Sequence, residues 1–239
     1  MNTMNNFNPK QIEFKFGDYI SQGFELFKKD IWNFVVAYIF VMIMSMIPFC
    51  NIMAVGNFYK YCRKKNRGEE ATPSEIFNFD QFGTYFILNL IIIGLSLFIA
   101  VPYFMFIGSM ATLGETGEVS AVSSGLSMIS GLSIFVGVIV IYYLMLKAFY
   151  ITGLISLEGE NDWKKAWEKS KIMTKNNLLM ILLFVFVISS IAQLGIMACC
   201  IGIFLTMPLS QICSYVATED GLNQIKNDEI NEIGITKSY

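Results

Sequence analysis

From Leu178 to Met197 the chain carries no charged side chain. About twenty apolar residues in a row are what a helix needs to cross a hydrocarbon core. A second apolar run, Ile201 to Ala217, follows a Cys-Cys-Ile-Gly break and is long enough to return. Ahead of both lies DWKKAWEKSKIMTKNN, in which Trp163, Ala166, Trp167, Ser170 and Met173 recur at spacings of three and four. Those residues share one helix face, and Lys164, Lys165, Glu168, Lys169 and Lys171 cover much of the rest. The pattern predicts a helix lying on a membrane surface, followed by a two-helix hairpin through it.

The whole chain fits that reading. Its 239 residues are 54% hydrophobic and only 15% charged, where soluble domains approach a quarter charged. The expected fold is all-α, a polytopic integral membrane protein. The N-terminal MNTMNNFNPK has no basic region leading into a short apolar core and cleavage site, so no removable signal peptide is expected.

Residues 1–13 are rich in Asn and interrupted by Pro9, and read as disordered. Phe14 to Asp30 has helical amphipathic spacing and predicts a second interfacial helix. Ile31 to Ile47 then crosses, Pro48 to Asn51 turns, and a short helix from Ile52 to about Tyr61 returns, with Tyr59, Tyr61 and the stem of Lys60 at the interface. Thr72, Pro73 and Glu75 mark a helix start, predicting a third amphipathic segment over Ser74 to Phe82 with Ile76, Phe77 and Phe79 toward the bilayer. Thr84 to Ser109 crosses outward, Met110 to Ser130 forms a small polar outer segment, and Gly131 to Leu157 returns.

Every lysine and arginine except Lys147 falls in the first, third, fifth or last of the segments between spans. The excess of basic residues on one side predicts six spans over residues 14–220, arranged as three hairpins, with both termini and the polar tail 221–239 in the cytoplasm. Each hairpin follows an amphipathic segment, so the sequence reads as three copies of one unit in the same orientation.

The motifs exclude more than they assign. There is no histidine, and the five cysteines form no CxxC, so neither a metal nor a cofactor is expected. Cys50 lies near one outer turn and Cys199 and Cys200 near another, leaving a disulfide from Cys50 to either of them open. Glu115 and Glu118 have no nucleophile or histidine partner, and GETGEV lacks the lysine of a phosphate loop. No enzymatic activity is expected, and no nucleic-acid partner.

Several residues carry two readings. Lys147 is the lone basic residue inside a span, which points to a lipid phosphate or substrate contact, or to a stem that reaches the interface. Asn89, Gln193 and Gln211 are intramembrane polar groups that either join helices or line a path. Arg63, Lys64, Lys65, Arg67, Lys164, Lys165 and Lys169 either attract anionic head groups or set orientation alone. Trp32, Trp163 and Trp167 are interfacial anchors.

The stretch from Ala166 and Ser170 through Thr174, Lys175 and Asn176, then Gly195, Gly202 and Pro208, resembles prokaryotic multi-span proteins related to the membrane domain of glycerophosphodiester phosphodiesterases. RGEEATPSEIF is similar to a further segment of that group, so the resemblance covers about Phe16 to Ala217. It implies the same fold in the inner membrane of a prokaryote. Where such a domain is joined to a phosphodiesterase, catalysis belongs to a separate barrel, whose acidic and histidine residues are absent from this chain.

The expected function is a non-enzymatic membrane component that binds lipids or scaffolds a membrane assembly, with lipids and either a membrane-protein partner or a second copy as its contacts. The alternative is a small-solute or lipid transporter with a path lined by Lys147, Asn89, Gln193 and Gln211.

Overall fold

A computed structural model of the protein describes residues 12–116, 121–197 and 202–236. Every regular element among them is helical: α1 (Phe16–Lys29), α2 (Ile31–Ser45), α3 (Asn51–Asn66), a 3-10 turn (Pro73–Phe77), α4 (Phe82–Thr116), α5 (Ala121–Lys147), α6 (Ile151–Glu158), α7 (Trp163–Thr174), α8 (Leu178–Met197) and α9 (Ile203–Thr236). Three segments, Phe82–Ala111, Ser124–Glu158 and Leu178–Gly195, are long and apolar enough to cross a membrane. They mark the chain as a membrane protein. The apolar α2 is shorter.

The chain forms two units, one of residues up to Phe86 together with those from Leu146 onward, the other of Ile87–Met145. In the second unit, Ser109 and Ser127 share a hydroxyl hydrogen bond of 2.6 Å between α4 and α5. Phe98, Phe104, Leu132 and Phe135 are exposed there, as lipid-facing side chains would be.

The first unit is built around α9, which packs on α1, α2, α3, α6 and α8. Ile212 through Thr218 are all buried, so this part of α9 is covered on every face, the condition of a helix inside a core. Small residues let the backbones approach. A Cβ on Gly23 of α1 would stand 2.5 Å from the Cys213 sulfur and 3.1 Å from its Cα. The α8–α9 hairpin closes in the same way, since a Cβ on Gly195 would stand 2.7 Å from the carbonyl oxygen of Gly202. Thr206 donates across it to the Ala192 carbonyl at 3.0 Å.

Several sequence expectations change. The helix expected over Ser74 to Phe82 stops as a 3-10 turn at Phe77. Asn57, buried on α3, donates to the carbonyls of Ile76 and Asn78 at 2.9 and 2.6 Å, which takes the acceptors that a continuing helix would use. Ile76 is consequently buried in protein and does not face outward, whereas Phe77 and Phe79 are exposed. α3 runs on to Asn66, and Tyr59 and Tyr61 are interior residues, not interfacial ones. The polar segment expected between Met110 and Ser130 is helical up to Thr116 and again from Ala121.

The return expected as one helix to Leu157 breaks after Lys147 into α5 and α6. The tail from residue 221 continues α9, and Gly221 and Leu222 are buried. Residues 1–11, Glu118, Cys199 and Cys200 lie outside the described residues; Cys50 is a buried free thiol. Part of the N-terminal stretch read as disordered is held in place. The Ile12 carbonyl accepts from Asn177 at 2.6 Å, and the Gln224 amide pairs with the Glu13 backbone at 2.8 and 3.0 Å.

Candidate functional site

Polar side chains of α3, α7 and α9 meet at the end of α6. α7 starts at Asp162, whose carboxylate accepts from the Lys164 N–H at 2.9 Å and so satisfies one of the free donors of the first turn. Its inner face, Ala166, Ser170, Met173 and Thr174, is buried. The Ser170 hydroxyl donates to the Lys147 carbonyl at 2.6 Å and accepts from the Tyr150 N–H at 3.3 Å. One side chain thereby satisfies both ends of the break between α5 and α6. The outer face presents Lys164, Lys165, Lys171 and Lys175 to the surroundings. Lys164 stands 5.8 Å from the centre of the Trp163 ring and Lys171 stands 5.9 Å from that of Trp167, within cation–π range.

The basic end of α3 is occupied differently. Arg63 donates from Nε and Nη2 to the Glu219 carboxylate at 2.9 and 2.5 Å, and from Nη1 to the Leu157 carbonyl at 2.6 Å. Lys64 pairs with Glu75 and Lys65 with Asp30, each at 2.8 Å, and Arg67 lies 3.9 Å from Glu219. One short basic stretch thus ties α3 to α9, α6, the 3-10 turn and the α1–α2 junction. Burial opposes ionisation of Asp30, but the Lys65 ammonium and the Asn33 amide outweigh it and hold the carboxyl below its ordinary range. On α1, burial and the neighbouring Asp220, which accepts from the Tyr19 hydroxyl at 2.7 Å, push the Tyr19 phenol above its ordinary range.

Lys169 departs from the rest of α7. Its exposed side chain bends to within 3.8 and 3.9 Å of Glu158 and Glu160, and Lys226 of α9 approaches the other oxygen of Glu158 at 3.6 Å. A cavity of about 200 Å³ opens among Leu154, Glu158, Lys169, Leu222, Ile225 and Lys226. A second, of about 530 Å³, is an open groove of α2, α3 and α6 lined by Tyr38, Val41, Met42, Ser45, Met46, Asn51, Ile52, Val55 and Thr152.

The residues expected to line a transport path do not meet at either cavity. Lys147 ends α5, where the negative end of the helix dipole favours a cation. Gln193 is exposed on α8, Gln211 is half-buried on α9, and Asn89 is buried in the other unit. Trp32 is 78% exposed at the start of α2, as an interfacial anchor would be, and Trp163 and Trp167 are half-covered. Sequence reasoning missed the acidic half of this region, Asp30, Glu158 and Glu219, and took Glu75 only as part of a helix start. The local signal of the first three is that each stands at or next to the edge of an apolar run.

A model of the family DUF4013, described as a protein of unknown function, matches residues 39–201. The chain belongs to this family. The DUF4013 span reaches from within α2 to the far end of α8, and so includes the Ser170 bridge, the basic end of α3 and Glu158. It leaves out the α1–α2 junction and α9, which supply Asp30, Glu219 and Lys226 to the same region. No curated protein and no solved structure matches the chain.

Proposed function

We propose that this DUF4013 protein is a non-enzymatic component of a prokaryotic inner membrane that binds anionic lipid through α7 and so scaffolds a membrane assembly. On this reading it crosses the bilayer six times, with both termini cytoplasmic, and α7 lies at the head-group level. The kinship with the membrane domain of glycerophosphodiester phosphodiesterases is part of the proposal and carries no reaction with it, because the chain has no histidine.

One observation carries the reading. Lys164, Lys165, Lys171 and Lys175 are exposed beside two half-covered tryptophans, and among the described residues none of the four pairs with an acidic side chain. Basic residues near an anionic surface contribute about 1 kcal/mol each. The basic residues of α3, by contrast, are engaged within the protein.

The test is native mass spectrometry of the full chain from nanodiscs containing phosphatidylcholine and phosphatidylglycerol in equal parts. Retained phosphatidylglycerol should exceed phosphatidylcholine, and changing the four lysines to Gln should remove the excess. Equal retention of both lipids by the unaltered protein would defeat the proposal.

A further inference from the structure

The ion pairs around Glu158 differ from the others in the same region. Lys64 and Lys65 touch their carboxylates at 2.8 Å, a hydrogen-bonded distance. Lys169 and Lys226 stop at 3.6 to 3.9 Å from Glu158 and Glu160, beyond direct hydrogen bonding. At that separation no direct hydrogen bond joins them, so the two ammonium groups keep N–H donors for a further acceptor. The carboxylates are largely withdrawn, with side chains only 14 and 19% exposed, whereas the two ammonium groups reach outward at 45 and 48%.

The cavity has the matching shape. Its volume of about 200 Å³ equals the liquid share of roughly six or seven waters, enough for a small head group and too little for a lipid tail. Leu154, Leu222 and Ile225 give it an apolar lining, and Glu158, Lys169 and Lys226 supply charges of both signs. An anion alone would gain from the lysines and be repelled by Glu158. A simple amine would meet the opposite conflict. A ligand with both charges satisfies all three charged groups of the lining.

We propose that the cavity between α6, α7 and α9 binds a phosphate ester that also carries an amine, its phosphate at Lys169 and Lys226 and its ammonium toward Glu158. The proposal rests on the lipid-interacting reading above and names the head-group class, aminoethyl phosphate, that this second site selects.

The full chain in detergent is titrated with phosphoethanolamine, inorganic phosphate and ethanolamine in turn, followed by calorimetry. In parallel, phosphatidylethanolamine and phosphatidylcholine compete for retention in nanodiscs. Phosphoethanolamine should bind about tenfold more tightly than phosphate, the difference one charge-assisted hydrogen bond makes. Glu158→Gln should erase that preference, and a Lys169→Ala, Lys226→Ala double variant should weaken binding by about tenfold or more.

Binding of the free head group without retention of the lipid identifies a soluble phosphoester as the ligand, and retention of the lipid alone identifies the membrane as its source. Either result supports the site. Three results overturn it: inorganic phosphate binding as well as phosphoethanolamine, unchanged binding in a double variant that melts like the unaltered protein, or neither form binding at all. Phosphatidylglycerol enrichment by the outer lysines of α7 is read in separate discs, so failure of this site and failure of the lipid-interacting reading are told apart.

Discussion

The Ser170 hydroxyl, on α7, donates to the carbonyl of Lys147, the last residue of α5, at 2.6 Å, and the same oxygen accepts from the Tyr150 N–H at 3.3 Å. A helix that breaks inside a membrane protein leaves backbone groups which water cannot reach, and here one buried side chain takes both. Ser170 and Ala166, four positions apart, share the buried face of α7.

Ser170→Ala should therefore lower stability by about 1–2 kcal/mol, because it leaves a donor and an acceptor unmatched at once. Ser190→Ala is the control. Among the described residues the Ser190 hydroxyl bonds only to the Phe186 carbonyl of its own helix, and its loss should cost less than about 0.5 kcal/mol. Denaturant unfolding in detergent measures both. Equal effects would show that Ser170 does not bridge the break.

Arg63 and Glu219 have side chains only 16 and 14% exposed, so each depends on the other to offset the cost of leaving water. Arg63→Met should cost about 3 kcal/mol by leaving Glu219 without its hydrogen-bonded partner and with only Arg67 at 3.9 Å, and Glu219→Gln a similar amount. The double variant should cost less than the sum of the two. A double-mutant cycle on unfolding midpoints reads the coupling, and strict additivity would contradict it.

What could be read from the sequence was what depends on neighbours in the chain. α8 begins at Leu178, directly after the polar Lys175, Asn176 and Asn177, where the uncharged apolar run starts, because lipid tolerates no charge there. The starts at Asp162 and Thr72 were legible for the same reason, a capping side chain acting within three residues. The break after Lys147 was not. Ala148, Phe149 and Tyr150 include neither Gly nor Pro, and the group that makes the break tolerable lies twenty residues or more further on. The same limit hid the site around α3. Its lysines and arginines read as a membrane-facing cluster until Asp30, Glu75 and Glu219, distant in sequence, took them up.

Gly23 provides a test of how closely α1 and α9 approach. In Gly23→Ala the new methyl would meet the Cys213 sulfur at 2.5 Å and the backbone Cα and N of the same residue at 3.1 and 3.2 Å. The expected cost is about 1–3 kcal/mol from overpacking. Adding Cys213→Ala removes the sulfur but leaves the backbone, so rescue should be partial. Full rescue, measured by thermal unfolding in detergent, would place the conflict in the side chain alone.

The Asp30–Lys65 pair should give the fold an acid-sensitive part with a definite sign. Folding lowers the pKa of Asp30, so the pair contributes above the ordinary aspartate value of about 3.9. It is lost as pH falls through the lower folded value. Lys65→Met should be less stable than the unaltered protein at pH 7 by about 0.5 kcal/mol, the range for a partly exposed ion pair. The two stabilities should converge as the pH falls below the ordinary aspartate value and through the lower folded one. Because both side chains keep some contact with solvent, at 21 and 31% exposure, about 1 M salt should narrow the difference at pH 7 as well, the Debye length then being roughly 3 Å. Melting curves in detergent between pH 3 and 7, at low and high salt, measure both effects. A gap that widens toward acid would mean that Lys65 acts through packing of its stem and not through the charge of Asp30.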